Sequence, residues 1–483
     1  MSQLSICRKL FYNSEWHGIR TITDDDASIL QQPRLLMLRL AAAEKIGDPD
    51  LYKDIGRVAD LIPAESKIKL PLLRDMARKG YASIAARALL NDPDLVMHPI
   101  FFKTLSTITR GVDDPALKQE LRAAALLASG GGLAIRSQLS PFSFAARPAA
   151  PYVFGSVHLD AAPNVPSHHL PGLQEQVVLF LAEIDKAHDR NGPILIEFHD
   201  VFTDRNGQIW REGGQIIRSL AKPIASVTRA DVPNVKIAML SQRPTKGIYH
   251  WLVDRIPGFA WLNETKNAAV TMPVLIADNA PGYEIESLRM MKIADQVHLV
   301  GDAVFVERLV EPAVGFRNMV GWKQVNWGIR QLVDSAMTEA RSQGVILPPR
   351  IYISRRDAKR RSLTNEAEIE AAIAMRGFVT YQFSEIPLWH QIALVHSAEV
   401  VLGPHGAGLA HLIFAQPGMR VIEIVPIKDG TYRLRFNYAR LSIIKGLDYH
   451  GWIEEQQLGI NSWALDIDRF LAFLDQTLAK PTI

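Results

Sequence analysis

An apolar strand runs directly into five cationic side chains in the stretch Ile351-Tyr352-Ile353-Ser354-Arg355-Arg356-Asp357-Ala358-Lys359-Arg360-Arg361. Arginine offers a planar fork of donors that matches phosphate oxygens, and each charge-assisted bond it makes is worth about 1.5–3 kcal/mol. Two or three such bonds would hold a diphosphate without a metal ion, although a run of charges also suits a loop that is simply solvated. Arg355 and Arg361 are the candidates, with Ser354 beside them. Arg356 is the weaker of the adjacent pair, because neighbours in an extended chain point to opposite sides. A second anion seat is written in Val400-Val401-Leu402-Gly403-Pro404-His405-Gly406-Ala407-Gly408-Leu409-Ala410, where strand, glycine-rich turn and helix start follow one another. The backbone N–H groups of Gly406, Ala407 and Gly408 can approach an anion closely at such a turn, with His405 at its mouth. The spacing matches neither G-x-G-x-x-G nor G-x-x-x-x-G-K-[ST].

Glu423 lies within the apolar run Val421-Ile422-Glu423-Ile424-Val425. A carboxylate there needs a partner, and either a ribose diol or a buried arginine would serve. His250 and Asp254 are four residues apart in Tyr249-His250-Trp251-Leu252-Val253-Asp254 and share a face of a helix. An imidazole held by a carboxylate works as a general base toward a sugar hydroxyl, although the same spacing also suits a hydrogen-bonded core pair. Asn365 and Glu368 read as a helix cap and capping box. No G-x-S-x-G elbow or H-E-x-x-H occurs. The D-x-D pairs Asp24/Asp26, Asp48/Asp50, Asp92/Asp94 and Asp466/Asp468 all fall at turns or helix starts, which favours metal-free chemistry.

The elements that must place these groups follow from periodicity. Residues 1–140 are rich in Ala and Leu at helical spacing, broken at Gly47-Asp48-Pro49 and Asn91-Asp92-Pro93, and predict a small all-helical domain. Within it, 72–79 and 81–90 predict an antiparallel helix pair. Glycine and proline cluster from Gly130 to Pro151, as in a linker. Residues 141–320 alternate short strands, at 193–198, 235–240, 274–277 and 296–300, with helical stretches. A long amphipathic helix over 323–342 leads into the last domain, 321–483. There strands are expected at 350–354, 378–381, 399–402, 421–425 and 441–445, with helices at 366–376, 388–396, 407–414 and 466–479. Such βαβ alternation lines every strand's C-terminal end along one edge of a parallel sheet, where ligands bind.

Composition narrows the classes further. Lys and Arg total 54 against 51 Asp and Glu, a net charge of +3, too small to make nucleic acid a default partner. Cys7 is the lone cysteine, so neither a disulfide nor a cysteine-based metal site forms within one chain, as expected in a reducing compartment. The N-terminus lacks the charge order of a secretory signal, and no apolar run reaches the roughly 20 residues of a spanning helix. A cytoplasmic protein is expected, with peripheral attachment to the inner face of a membrane left open.

Taken in order, Tyr249-His250-Trp251-Leu252-Val253-Asp254, Ile353-Ser354-Arg355-Arg356 with Arg361 and Asn365-Glu366, Gln391, Gly403-Pro404-His405-Gly406-Ala407-Gly408-Leu409, and Pro417-Gly418 leading into Val421-Ile422-Glu423 resemble the family 61 glycosyltransferases, in the branch of capsular polysaccharide biosynthesis proteins. The resemblance covers roughly 150–430 and leaves the helical N-terminal region unassigned. It implies a GT-B fold, two Rossmann-like domains facing each other, the first taking the acceptor and the second the donor. It also implies inverting, metal-independent transfer from a nucleotide sugar, with UDP as leaving group, to a glycan or glycoconjugate, and no separate cofactor. Under that reading His250 is the base, aided by Asp254. Arg355, Arg361 and residues 406–408 hold the diphosphate, with His405 beside them and Glu423 near the ribose. A sugar-binding scaffold without activity, and a nucleotide-sugar hydrolase or epimerase, are the competing classes. The sequence names neither oligomeric state nor sugar.

Overall fold

The computed structural model describes residues 3–12, 15–24, 69–78, 80–92, 101–128, 154–163, 169–188, 194–218, 223–242, 247–267, 272–313, 326–358, 362–428, 437–456 and 462–480, with a few isolated positions besides. The expected features at 129–153, 359–361 and the turn at 47–50 lie outside the described residues, and with them Arg361.

In chain order the strands are β1 (Ser156–Ala161), β2 (Ile194–Thr203), β3 (Ile209–Trp210), β4 (Ile216–Arg218), β5 (Asn234–Leu240), β6 (Val274–Ala277), β7 (Val297–Val300), β8 (Val304–Ala313), β9 (Arg350–Ile353), β10 (Ser362–Leu363), β11 (Val379–Tyr381), β12 (Val400–Pro404), β13 (Arg420–Lys428), β14 (Asp448–Gln456) and β15 (Ser462–Trp463). The architecture is mixed α/β. Two compact units share the chain: one comprises Met1–Ala134, Asp200–Asn234 and Asp302–Val306, the other Ile135–His199, Val235–Gly301 and Glu307–Ile483.

In the first unit, helices Lys69–Arg78, Ala82–Leu90 and Phe101–Gly111 bury Leu70, Leu73, Ala85, Ala86 and Ile108 in a common core. Alanine at positions 82, 85 and 86 lets helix axes approach, and Gly111 keeps that contact tight, since a Cβ there would come within 2.8 Å of the Ala82 Cβ. The helix pair expected at 72–79 and 81–90 is present. A smaller cluster in the same unit gathers Phe202, Trp210 and Phe305, with the Phe202 and Trp210 rings stacked 5.8 Å apart.

The second unit contains a six-stranded sheet in the order β1-β14-β13-β12-β9-β11, in which every neighbouring pair is parallel. It also contains the parallel stretch β5-β6-β7 of a seven-stranded sheet. Inner strands such as β6, β9 and β12 are covered on both faces, so their sequences are continuous apolar runs, and these are the runs that periodicity finds, whereas β1, β7 and β11 at the sheet margins keep exposed positions. One extensive core links both, from Leu252 and Val274 through Leu332, Ile351 and Leu402 to Leu474. Helix Trp327–Ser342 turns Ile329, Leu332, Ala336 and Ala340 inward at 3–4 residue spacing and ends at Gly344, whose φ of 63° favours glycine.

Two expectations are corrected. The run 441–445, read as the final strand, belongs to a helix, Asn437–Lys445, buried on nearly all sides through Tyr438, Ala439, Leu441, Ser442, Ile443 and Ile444. A short apolar run of this kind fits either period, and Gly446, at φ 69°, ends the helix. The actual strand is β14, whose Asp448, His450 and Glu454 are buried polar residues with partners. Asn365 likewise makes no capping box with Glu368. Its side-chain amide donates to the Leu465 carbonyl at 2.8 Å and its oxygen accepts from the Leu465 N–H at 3.1 Å, tying the helix start to the chain leading into helix Ile467–Ala479.

Candidate functional site

Beyond Ile353 the Ser354 N–H still bonds the Tyr381 carbonyl at 2.9 Å, but the next N–H, that of Arg355, is claimed by a side chain. Glu366, only 2% exposed at the start of helix Glu366–Ala374, accepts from the Tyr352 hydroxyl (2.9 Å), the Ser354 hydroxyl (3.0 Å) and the Arg355 N–H (2.7 Å), all on Oε1. Three donors converge on one oxygen of this buried carboxylate and fix where the chain leaves the sheet, while Oε2 has no hydrogen-bond partner among the described residues. Sequence reasoning names Glu366 within the family resemblance but gives it no role. Its local signal is an acidic residue in the first helical turn after an arginine-rich loop.

Ser354 is thereby turned inward. Arg355 goes the other way, over the glycine turn. A Cβ on Gly406 would lie 1.6 Å from Arg355 Nη1 and 2.5 Å from its Cζ, so the guanidinium occupies the space that any other residue at 406 would fill. The φ of Gly406 is −172°, extended backbone open to any residue. What glycine leaves room for is therefore the end of the Arg355 side chain, not a special backbone conformation. Gly408 is also tight, since a Cβ there would meet Ile353 Cγ2 at 2.7 Å. Burial draws the Arg355 guanidinium below its usual range, with nearby Tyr438, Asp357 and Glu366 opposing. Arg356 pairs with Glu370, Nε to Oε1 at 3.2 Å, and is half exposed.

From Ala407 to Phe414 the chain forms a 3-10 helix, opening at the C-terminal end of β12. This is the edge at which a parallel sheet presents ligand-binding loops. His405, just before it, is 7% exposed, and its Nδ1 lies 2.5 Å from Glu423 Oε1. The other oxygen of Glu423 accepts from the Tyr449 hydroxyl at 2.6 Å. Both carboxylate oxygens are thus engaged, and the partners come from the turn after β12 and from β14, neither of them an arginine. Burial raises the Tyr449 hydroxyl well above its usual range, assisted by the charge of Glu423, so it stays a donor.

A cavity of about 580 Å³ opens within the second unit beside these groups. Ser354, Arg355, Gly406, Ala407 and Gly408 line one part of it, joined by Gln391, Phe383 and His411. Ile248, Tyr283 and Glu286 line another part. Gln391 donates from Nε2 to the Phe383 and Ile386 carbonyls, both at 2.8 Å, which shapes the loop between β11 and helix Leu388–Ser397. His411 donates from Nδ1 to the Gly408 carbonyl at 2.9 Å and packs edge-on against Phe383, with ring centroids 5.0 Å apart. Burial lowers its pKa from 6.5 to about 4, against the opposing effect of the Gly408 bond, so the ring is neutral.

His250 and Asp254 do not line that cavity. They lie on a π-helical turn, His250–Arg255, just after the lining residues Gly247 and Ile248. The turn widens so that the Ile256 N–H bonds the Trp251 carbonyl, and Pro257, without an N–H, follows in a 3-10 turn. Trp251 anchors it by donating from Nε1 to the Ser287 hydroxyl at 2.8 Å. His250 Nδ1 and Asp254 Oδ2 are 2.7 Å apart, with the imidazole 35% exposed. Aromatic contacts connect this turn to His405: Tyr249 meets Tyr438 at 5.8 Å between centroids, and Tyr438 meets His405 at 5.2 Å. The structure thus gathers Ser354, Arg355 and residues 406–408 at one cavity, sets His405 and Glu423 behind the turn, and leaves His250 with Asp254 at the neighbouring turn.

Comparison with known proteins gives this arrangement a context. Residues 248–422 match the family model described as Glycosyltransferase 61. Over 98 residues the chain is 36% identical to a beta-1,2-xylosyltransferase of Oryza sativa subsp. japonica, covering 18% of this chain and 17% of that protein. It is 29% identical over 104 residues to the EGF domain-specific O-linked N-acetylglucosamine transferase of Drosophila melanogaster, covering 21% and 19%. With the protein of that name from Xenopus laevis the identity is 25% over 147 residues, covering 26% and 27%. The matches thus span about a fifth to a quarter of these relatives' lengths.

Proposed function

We propose that this chain, whose residues 248–422 form a glycosyltransferase 61 domain, is an inverting, metal-independent transferase of GT-B architecture. It moves a sugar from a UDP-linked donor to a hydroxyl of a glycan or glycoconjugate, in bacterial polysaccharide synthesis, in the cytoplasm at the inner face of the membrane. The observation that carries the reading is the seating of the Arg355 guanidinium against Gly406 at the cavity wall, beside the N–H groups of the Gly406-Ala407-Gly408 turn. Negative charge develops on the departing diphosphate, and donors already in place there cost no rearrangement when it appears.

The geometry supports the following roles. Arg355 and the turn N–H groups stabilise the leaving diphosphate. Glu423, held by Tyr449, orients His405 behind the turn. His250, whose Nδ1 is tied to Asp254, keeps Nε2 to take the proton from the acceptor hydroxyl. The xylosyl and N-acetylglucosaminyl transfers in the relatives' names favour a sugar nucleotide as donor. Membrane association in this reading is peripheral; among the described residues no helix is long and apolar enough to cross a membrane.

The test contrasts two substitutions. Arg355→Ala weakens UDP binding in calorimetry by about 1.5–3 kcal/mol, while His250→Ala lowers turnover by at least about 100-fold with UDP affinity unchanged. UDP affinity unaltered in Arg355→Ala removes the diphosphate role, and parallel loss of binding and turnover in His250→Ala makes that residue structural.

A further inference from the structure

A second cavity of the same unit, about 430 Å³, is lined by β1 and β14 together with Gln174, Val177 and Lys480. The two strands run parallel there in a register that sets Ser156 opposite Asp448 and His158 opposite His450. Residues two apart on a strand share a face, so these four side chains form a square on one side of the sheet. The outcome is visible in the rings: His158 and His450 stack at 4.6 Å between centroids. Both imidazoles face one carboxylate oxygen. Asp448 Oδ1 lies 3.0 Å from His450 Nε2 and 3.6 Å from His158 Nε2, and the three potential ligand atoms fall within 4.8 Å of one another.

Two imidazoles and a carboxylate make up the donor set of a divalent transition metal. Zinc binds nitrogen at about 2.0–2.1 Å and carboxylate oxygen at about 2.0–2.2 Å, so ligand atoms around a tetrahedral ion sit roughly 3.3 Å apart. The two observed separations bracket that value. The outer shell is also present: the Ser156 hydroxyl bonds Asp448 Oδ1 at 2.8 Å, and Arg420 Nε donates to the other oxygen, Oδ2, at 2.8 Å. Such partners fix the direction of a ligating carboxylate. His450 and Asp448 are 2% and 6% exposed and held in place, whereas His158, at 48%, has room to turn its ring onto an ion.

We propose that His158, Asp448 and His450 bind a divalent transition metal, zinc by the chemistry of the donors, with a remaining coordination position open to the 430 Å³ cavity. On binding, the ion takes the place of the proton between His450 Nε2 and Asp448 Oδ1, and the neutral imidazole carries its one proton on Nδ1 instead. The ion pins β1, the outermost strand of the six-stranded sheet, to β14. This site is separate from the diphosphate seat and independent of the transferase reading.

The test uses the full chain, stripped with chelator and titrated with zinc chloride in a calorimeter. One equivalent binds the wild type and raises its melting temperature. His158→Ala, a half-exposed position that leaves the fold intact, weakens binding by at least about 100-fold, the upper end of what losing even an outer partner costs. His158→Cys, which supplies a thiolate, restores most of it. Cobalt(II) in place of zinc gives visible absorption bands in the wild type that are lost in His158→Ala. Failure of the wild type to take up zinc, or equal uptake by His158→Ala, overturns the proposal. UDP titrated into the same His158→Ala sample gives wild-type affinity, so a failure of the donor site reads out separately.

Discussion

Substitution of Gly406 by alanine is the sharpest probe of the proposed diphosphate seat, because it adds one methyl group and changes no charge. Gly406 has extended backbone at φ −172°, which alanine adopts without strain. The new methyl would stand 1.6 Å from Arg355 Nη1, 2.5 Å from Cζ and 2.6 Å from Cδ, so the whole end of the side chain has to leave. The expected loss is that of one or two charge-assisted bonds to phosphate, about 1.5–3 kcal/mol each. For a single bond that is a roughly 10- to 150-fold rise in the dissociation constant for UDP, at 1.4 kcal/mol per factor of ten. Calorimetric titration of UDP into Gly406→Ala, Arg355→Ala and the double variant distinguishes the mechanism. Both singles act through one guanidinium, so the double variant loses no more than Arg355→Ala alone. Wild-type affinity in Gly406→Ala, or losses that add in the double variant, refutes the idea that this glycine exists to seat this arginine.

Glu366→Gln deprives the Tyr352 hydroxyl, Ser354 hydroxyl and Arg355 N–H of a shared anionic acceptor and is expected to cost about 1–3 kcal/mol of stability in urea unfolding. An unchanged midpoint would show that the end of β9 is held by other contacts. His411 has its pKa lowered by burial from 6.5 to about 4, so the folded chain binds fewer protons than the unfolded one between those values. Its contribution is complete above pH 6.5 and is lost as pH falls toward 4, a span worth about 3 kcal/mol at 1.36 kcal/mol per pH unit. His411→Asn, which keeps a donor for the Gly408 carbonyl, should flatten the stability profile across that window, and an unaltered profile argues against a buried neutral ring. EDTA should leave UDP affinity and turnover nearly unchanged, whereas inhibition reversed by manganese contradicts metal-free transfer.

Much of the second unit was legible because buried parallel strands are uniform apolar runs bounded by breakers. β6, β9, β12 and β13 all stand where Val274, Ile351, Val401 and Val421 place them. β1, β8 and β14 escaped notice. Their sequences mix charged and histidine residues with apolar ones, and what buries those polar side chains is pairing with distant partners, such as Arg420 with Asp448. The site shows the same division. The arginine loop and the glycine turn are local patterns and could be read directly. That Glu423 would meet Tyr449, or Glu366 the start of the arginine loop, depends on which strands and helices become neighbours, and no local spacing encodes it. The pairing of His250 with Asp254 was visible at four-residue spacing, but the widened turn that carries it depends on how Pro257 and Trp251 are accommodated.

The pairing of Ser156 with Asp448, 292 residues apart, sets an order of events for the growing polypeptide. At roughly 5–20 residues per second, a ribosome needs about 15–60 s after making the earlier strand before its mate emerges. During that wait the segment 156–161 has no sheet to join. Gly155, where a Cβ would come within 2.3 Å of the Leu447 carbonyl oxygen, then closes the fit. An expression fragment trimmed to the family match at 248–422 would therefore leave out both members of this long-range pair, and a fragment that keeps the pair should begin upstream of Phe154 and run through Ala479.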